Sequence, residues 1–356
     1  MADLRFFAHF PFSAEARAWV REQKLQLDSA ALEAGGERLK KAFSTGELPV
    51  EAVSLDSEHR QQILAYAASR LILAAWGNQW AARRMAVAES KRAHEYLKTS
   101  QDRRADYAQK LADSLGLPFK PAPIDAAQGD EKNEAAYILP FWHYLRFAPR
   151  DVHYKLVNMR LEKGMVRVSD HQRLRILEEA MRKRLEEPIP PLKEAPVEVR
   201  GIISRLEVLL PRENLAPVKI EMKDFPPCIR KLIDDLRMSV NVPHLGRVAL
   251  AIYLIKAGLP DEQIVQLFST APDYNADTTA YQVKYARQKG YSVPSCATMD
   301  TWGLCIAVCR CGSPVYYREA KHGRNARESL GTHTSSSIGG MERKKESDET
   351  VEPRSK

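Results

Sequence analysis

Five cysteines carry the most specific chemistry in this 356-residue chain, because four of them crowd between Cys296 and Cys311 while Cys228 stands far upstream. The four read C-x8-C-x3-C-x-C: Cys296, Cys305, Cys309 and Cys311. An odd number of thiols does not make a secreted disulfide framework, and clustered thiols in a reducing compartment point to metal. Soft, deprotonated sulfur suits structural zinc or an iron-sulfur cluster. No pair forms the C-x2-C knuckle of a zinc ribbon, and the C-x3-C-x2-C triplet of radical enzymes is missed by one residue. A cluster tying a distant helix to a C-terminal loop fits this spacing better. Cys228 keeps a second reading as a small buried hydrophobe, which is how most isolated cysteines behave.

Other chemistries lack their parts. Phosphoryl transfer needs carboxylates that hold metal ions beside the nucleotide. The chain has no Asp-x-Asp pair, and Asp234-Asp235 are adjacent helix positions beside Arg237. Neither GxxxxGK[ST] nor G-x-G-x-x-G occurs, and the glycine doublets Gly35-Gly36 and Gly339-Gly340 read as loop and tail. An independent polymerase, NTPase or dinucleotide-dependent redox enzyme is therefore not expected. The net charge of +8, from 54 Lys+Arg against 46 Asp+Glu, is spread along the chain and forms no polycationic arm. It is a mild invitation to phosphate backbones.

The elements that must position these residues follow from periodicity and punctuation. With 44% hydrophobic and 28% charged residues, the chain supports two or three domains with real cores. No run of eighteen apolar residues exists, and MADLRFFAHFPF lacks a charged start followed by an apolar core, so a soluble cytosolic protein without membrane contact is expected. From Ser57 to Thr99 there is no proline and one glycine, Gly77, among many Ala, Leu, Arg and Glu. That predicts one long helix, or two with a break near Gly77. Trp76 and Trp80 share a face as core aromatics, and Arg83 and Arg84 belong to a solvated one. Residues 116 to 135 read as a surface loop. Tyr137 to Phe147, YILPFWHYLRF, is an aromatic block suited to core or interface. After it come a helix through VHYKLVNMRLEK, a turn at Gly164, a short strand at MVRV, and a helix capped near Ser169 that ends at Pro188.

Pro188, Pro190, Pro191 and Pro196 make a stiff connector, although the following VRGIISRLEVLL has an apolar face that could pack back on the first domain. The second domain opens with FPPC, which places Pro227 at a helix start and Cys228 in its first turn. A helix through HLGRVALAIYLIK, a Gly258-Leu-Pro260 turn, a helix capped by Asp261 and an amphipathic ADTTAYQVKYARQK follow. Beyond Tyr317 nothing remains to bury. The expected fold class is mainly α: a helical N-terminal domain with a small mixed α/β part over 1–187, a Pro-rich connector over 188–218, a mostly helical cysteine-bearing domain over 219–325, and a disordered tail over 326–356.

The segments FPPCIRKLI (225–233), HLGRVALAIYLIKAGL (244–259), TAYQVKYA (279–286), PSCATMDTWGLC (294–305) and SPVYY (313–317) resemble the C-terminal domain of the large subunit of archaeal and eukaryotic DNA primase. AHFPF and HYKLVNMRLEKGMVRVSDHQRLRILEEAMRKRL resemble the helical N-terminal domain of the same subunit, so the likeness runs over about residues 5 to 318.

The resemblance implies one [4Fe-4S] cluster on four cysteines: Cys228 from FPPC, Cys296 from PSC, Cys305 from GLC, and a fourth at Cys309, with Cys311 as the alternative. The family's usual N/H-P-L-x-Y-Y signature reads GSPVYY here, which shortens the loop carrying that fourth ligand. It further implies a regulatory, non-catalytic subunit, with no active site of its own, of the heterodimeric primase that makes short RNA primers for DNA replication. Its partners would be the small catalytic subunit, single-stranded DNA template, RNA-DNA primer-template and NTP, in an archaeal-type cytoplasm at the nucleoid. His244 and Arg247, at a helix start, are implied to meet a phosphate, and Tyr281 and Lys284, three apart, to pair base or sugar contact with phosphate contact. Lys256, Phe268 and Arg287 are further candidates, with Phe268 on an apolar face that reads as core. The competing reading is a zinc-stabilised nucleic-acid-binding adaptor without a polymerase partner.

Overall fold

The computed structural model describes residues 2–51, 54–100, 103–123, 136–192, 194–210 and 225–318. Within them the protein is mainly helical, with fourteen α-helices and one four-stranded sheet. The expected tail, most of the 116–135 loop and the connector around Pro211 to Pro217 lie outside the described residues.

The alanine-rich run divides in two. Helix α4 (Asp56–Trp76) stops where Gly77 takes φ 68°, and α5 (Gln79–Thr99) starts under an Asn78 cap whose side chain accepts from Ala81 N–H at 2.9 Å. Before them come α1 (Leu4–His9), α2 (Ala14–Glu22) and α3 (Ser29–Thr45). The Gly35-Gly36 doublet lies inside α3 rather than in a loop. A Cβ on Gly35 would stand 2.7 Å from the Ala68 Cβ, and one on Gly36 2.8 Å from the Ile202 Cγ2. The doublet is thus where α4 and α9 (Val197–Glu207) close onto α3. Val199, Ile202 and Leu206 of α9 are buried in one cluster with Leu39, Ile72 and Met85, so this part of the connector packs on the first domain.

A charged network crosses the same bundle. Glu89, fully buried on α5, accepts from Arg38 Nε at 2.5 Å and from Arg92 Nε at 3.0 Å. Burial pulls its carboxyl pKa up, but Arg38 and Arg92 outweigh burial and hold it below the usual carboxylate range. Arg92 also donates to the His9 carbonyl at 2.9 Å, and the His9 ring lies flat on Tyr96 with centroids 3.4 Å apart.

The small sheet runs in the order β1-β2-β4-β3, all antiparallel, from β1 (Lys120–Pro121), β2 (Ala136–Pro140), β3 (Leu161–Glu162) and β4 (Met165–Ser169). The helix expected through residues 152–163 is replaced by two 3-10 turns and β3. Lys163 and Gly164 both have positive φ, 49° and 77°, and form a two-residue hairpin pairing Leu161 with Val166 and Glu162 with Met165. Sheet pairing overrides helical propensity there. Ser169 caps α8 (Asp170–Leu185), with Gln172 closing the capping box. The aromatic block splits: Tyr144 on α7 (Phe141–Phe147) is buried and donates to the Tyr154 carbonyl at 2.8 Å, while Trp142 and Leu145 are each 57% exposed. Helix α6 (Arg104–Ser114) completes this domain.

The second domain gathers α10 (Pro227–Arg237), α11 (His244–Lys256), α12 (Asp261–Phe268), α13 (Ala276–Lys289) and α14 (Cys296–Thr301) around one core. Ile229, Ile233, Leu236, Leu250, Leu254 and Ile264 are each fully buried, worth about 1.5–3 kcal/mol apiece. Pro227 is the first residue of α10, as its type demands. Asp261 does not cap α12. Pro260 holds that position, and Asp261 instead takes the Arg287 guanidinium at 2.6 Å, which assigns Arg287 to the fold. The solvated face expected for Arg83 and Arg84 fails at Arg84, while Arg83 stays partly exposed. Arg84 is 2% exposed because carbonyls from both domains surround it, and Arg83 donates to the Met238 carbonyl of the second domain. Trp76 and Trp80, on two helices, both lie against Phe43.

Candidate metal centre and phosphate pocket

The cysteines come together. Cys228 sits in the first turn of α10, Cys296 opens α14, and the loop that follows α14 carries Cys305, Cys309 and Cys311 back over both. That loop is held by its backbone. Cys296 N–H donates to the Gly312 carbonyl at 2.9 Å, and the chain reverses through Gly303 and Gly312, both near φ 70°, and Arg310 at φ 51°. All five cysteines line one cavity of about 430 Å³, walled otherwise by Pro226, Met299 and Ile306 among others. The volume is many times the roughly 30 Å³ share of one water. Among the described residues, no three His, Cys, Asp or Glu side chains stand close enough to hold a single metal ion.

Within the cavity the thiols differ. Cys296 and Cys311 are in contact, sulfur to sulfur at 3.4 Å. Burial pushes the Cys228 thiol up to about 11, with Cys305 and Cys309 adding to it. Burial, then the Cys296 thiol, raises Cys311 to about 11 as well. These groups are therefore protonated at neutral pH unless a metal displaces the protons.

A second concavity of about 300 Å³ lies between α11, α13 and the turn joining α12 to α13. His244 and Arg247 line it together. His244 is exposed at the first position of α11, where Pro243 at the cap leaves the first-turn N–H groups without a side-chain acceptor. Arg247 is oriented by three acceptors: the Val242 carbonyl at 2.8 Å, Asn241 Oδ1 at 3.2 Å and Asp273 Oδ2 at 2.5 Å. This spends Nε and Nη2 and aims the guanidinium at the pocket. Tyr281 and Lys284 do not line the cavity. They lie on the exposed side of α13, Tyr281 at 68% exposure. Tyr281 stacks on Tyr285 at 6.0 Å with planes 20° apart, and Tyr285 continues to Tyr291 at 6.3 Å. Tyr285 and Tyr291 do line the pocket, so the tyrosines form a stair from outer face to cavity. Phe268 also reaches the pocket wall from the core, at 4% exposure, and Lys256 is exposed at the far end of α11.

Sequence reasoning missed Asp273, Tyr285 and Tyr291. The four-residue spacing of Tyr281 and Tyr285 on a predicted helix was a usable signal. Nothing local marks Asp273 as the partner of a residue 26 positions earlier.

Two family models match the chain: that of the eukaryotic and archaeal DNA primase large subunit N-terminal domain over residues 13–197, and that of the C-terminal domain of the same subunit over residues 218–322. The chain is 30% identical over 342 residues to the DNA primase large subunit PriL of Methanosarcina mazei, covering 88% of each. It is 30% identical over 347 residues to that of Methanocella arvoryzae, covering 90% of each. It is 29% identical over 288 residues to that of Archaeoglobus fulgidus, covering 77% of this chain and 72% of the relative.

Proposed function

We infer that this chain, which belongs to the eukaryotic and archaeal DNA primase large-subunit family, is the non-catalytic subunit that holds the start of a primer for a catalytic partner. The observation that carries this reading is the Arg247 pocket, where a guanidinium oriented by Asp273 and His244, at the uncapped start of α11, line one cavity beside a stair of tyrosines. A triphosphate or 5′-terminal phosphate suits that end, through charge-assisted hydrogen bonds and the helix dipole. Bases of template or primer suit the Tyr281–Tyr285–Tyr291 stair, with Lys284 beside it for a backbone phosphate.

The cysteine cavity fits a [4Fe-4S] cluster better than one zinc ion, because its donors ring a wide space and do not converge on a point. Cys228, Cys296, Cys305 and Cys309 would hold it. Cys311, in contact with Cys296 at 3.4 Å, is the alternative to Cys309 as the fourth ligand. When bound, the cluster supplies iron-thiolate bonds that cross-link α10 to the loop after α14. The exposed face of Phe141, Trp142 and Leu145 on α7 is the surface offered to the catalytic subunit, since large apolar residues uncovered together mark an interface.

The test is binding of a short RNA-DNA duplex to the full chain. Preference for a 5′-triphosphate over a 5′-hydroxyl, lost in Arg247→Ala, is expected. Equal affinity for both ends refutes the reading. Iron, acid-labile sulfide and zinc measured on anaerobically purified protein separate the cluster from a zinc adaptor.

A further inference from the structure

Helix α5 of the first domain carries a buried arginine whose hydrogen bonds all go to carbonyls, and those carbonyls belong to both domains. Arg84 Nε donates to the Ala42 carbonyl at 3.0 Å and Nη2 to the Phe43 carbonyl at 3.3 Å, at the C-terminal end of α3. Arg84 Nη1 donates to the Pro272 carbonyl at 3.0 Å and to the Tyr274 carbonyl at 2.7 Å. Gly46, in the left-handed region at φ 75°, makes room for the guanidinium: a Cβ there would stand 2.8 Å from Nη2. The two residues that Arg84 grips flank Asp273, and Asp273 is the residue that orients Arg247. The other Asp273 oxygen, Oδ1, is buried without a hydrogen-bond partner, so backbone position rather than a second side-chain bond decides where this carboxylate points.

We propose that Arg84 is a positioning residue for the primer-start pocket: it docks the turn Ala271–Asn275 onto the first domain and thereby sets Asp273 to aim Arg247. The inference rests on the reading of the Arg247 pocket given above. It adds that the pocket is set only while the two domains are docked. A guanidinium is suited to this because its planar fork serves carbonyls on two sides at once, whereas an ammonium is a single point. Undocking strands Arg84 with half of its acceptors gone, which costs more than the bonds alone because the group stays partly desolvated. Binding and docking are then reciprocal: a ligand that engages Arg247 favours the docked arrangement by the factor that docking favours the ligand.

The experiment uses the full chain as wild type, Arg84→Ala, Arg84→Lys, Asp273→Asn and Arg247→Ala. It reads fluorescence anisotropy with 5′-triphosphate and 5′-hydroxyl RNA-DNA duplexes, and amide hydrogen exchange. Arg84→Ala is expected to raise exchange across 271–275 and to weaken triphosphate binding roughly tenfold, the scale of one charge-assisted hydrogen bond, with 5′-hydroxyl binding unchanged. Asp273→Asn should weaken triphosphate binding in the same way without altering exchange in α3 to α5. Wild-type exchange at 271–275 together with wild-type discrimination in Arg84→Ala overturns the proposal. Should Arg84→Ala unfold the first domain, seen as raised exchange throughout α3 to α5, Arg84→Lys carries the same two readouts and wild-type values there overturn it. If wild type does not discriminate the two ends, the pocket reading fails instead, and exchange at 271–275 still reports the docking.

Discussion

Arg247 and Asp273, on α11 and on the turn before α13, pair at 2.5 Å in the wall of a cavity of about 300 Å³. The pair sits beside neither the cysteines nor the exposed aromatic face of the first domain, so its role can be tested separately from both. Arg247→Ala is expected to lower primer initiation by the complex with the catalytic subunit about tenfold or more, the loss of a charge-assisted contact, and to leave elongation of a preformed primer near wild type. Equal loss in both assays would remove Arg247 from recognition of the primer start.

Cysteine variants test the metal centre by content rather than activity. Cys228→Ser, Cys296→Ser and Cys305→Ser should each lose iron and sulfide and loosen the second domain while the helical domain stays folded. Cys309→Ser should do the same, and Cys311→Ser should retain about four irons per chain. The reverse result for the last two would exchange their roles.

The buried triad predicts a large effect on stability. Glu89→Ala leaves Arg38 and Arg92 as uncompensated buried cations, at a cost of about 3–5 kcal/mol, and should lower the melting temperature of the first domain on the order of 10 °C. A shift of only a degree or two would mean that water reaches the pair once the carboxylate is gone.

His9 makes the first domain acid-sensitive. Burial, aided by Arg92, lowers its pKa to about 3 from an ordinary 6.5, so the unfolded chain binds a proton below 6.5 that the folded chain refuses. Stability from this site is complete above 6.5 and falls as pH drops toward 3, by roughly 2 kcal/mol at pH 5. Nδ1 of His9 has no partner, so His9→Phe should keep the ring stack on Tyr96, change little at pH 7.5 and flatten the acid limb of a melting-temperature profile. His94, lowered chiefly by burial, would leave a residual slope. An unaltered limb in His9→Phe would show that the acid response comes from elsewhere.

The exposed α7 face gives a partner test. Trp142→Ala with Leu145→Ala should weaken association with the catalytic subunit by about thirtyfold or more without changing the melting temperature, because both side chains are mostly exposed in the isolated chain. Unchanged co-purification would move the interface to another surface.

Much of this protein follows from local rules acting on its sequence. Gly77, Ser169 with Gln172, and Pro227 each mark a boundary that the structure keeps, since their effects reach only a turn in either direction. Mainly helical architecture, His244 at a helix start and Cys228 in a first turn are legible for the same reason. What tertiary structure alone decided is everything that depends on a distant partner. Residues 152–163 have helical residues but form two 3-10 turns and then β3, where Leu161 and Glu162 pair with β4, and Gly35-Gly36 read as a loop until α4 and α9 close on it. Arg84 looks like any surface arginine on an alanine-rich helix. Only the carbonyls of residues 42, 43, 272 and 274, gathered from two distant stretches of chain, make it a buried link between domains, because a hydrogen bond is set by position in space and sequence spacing carries no record of it.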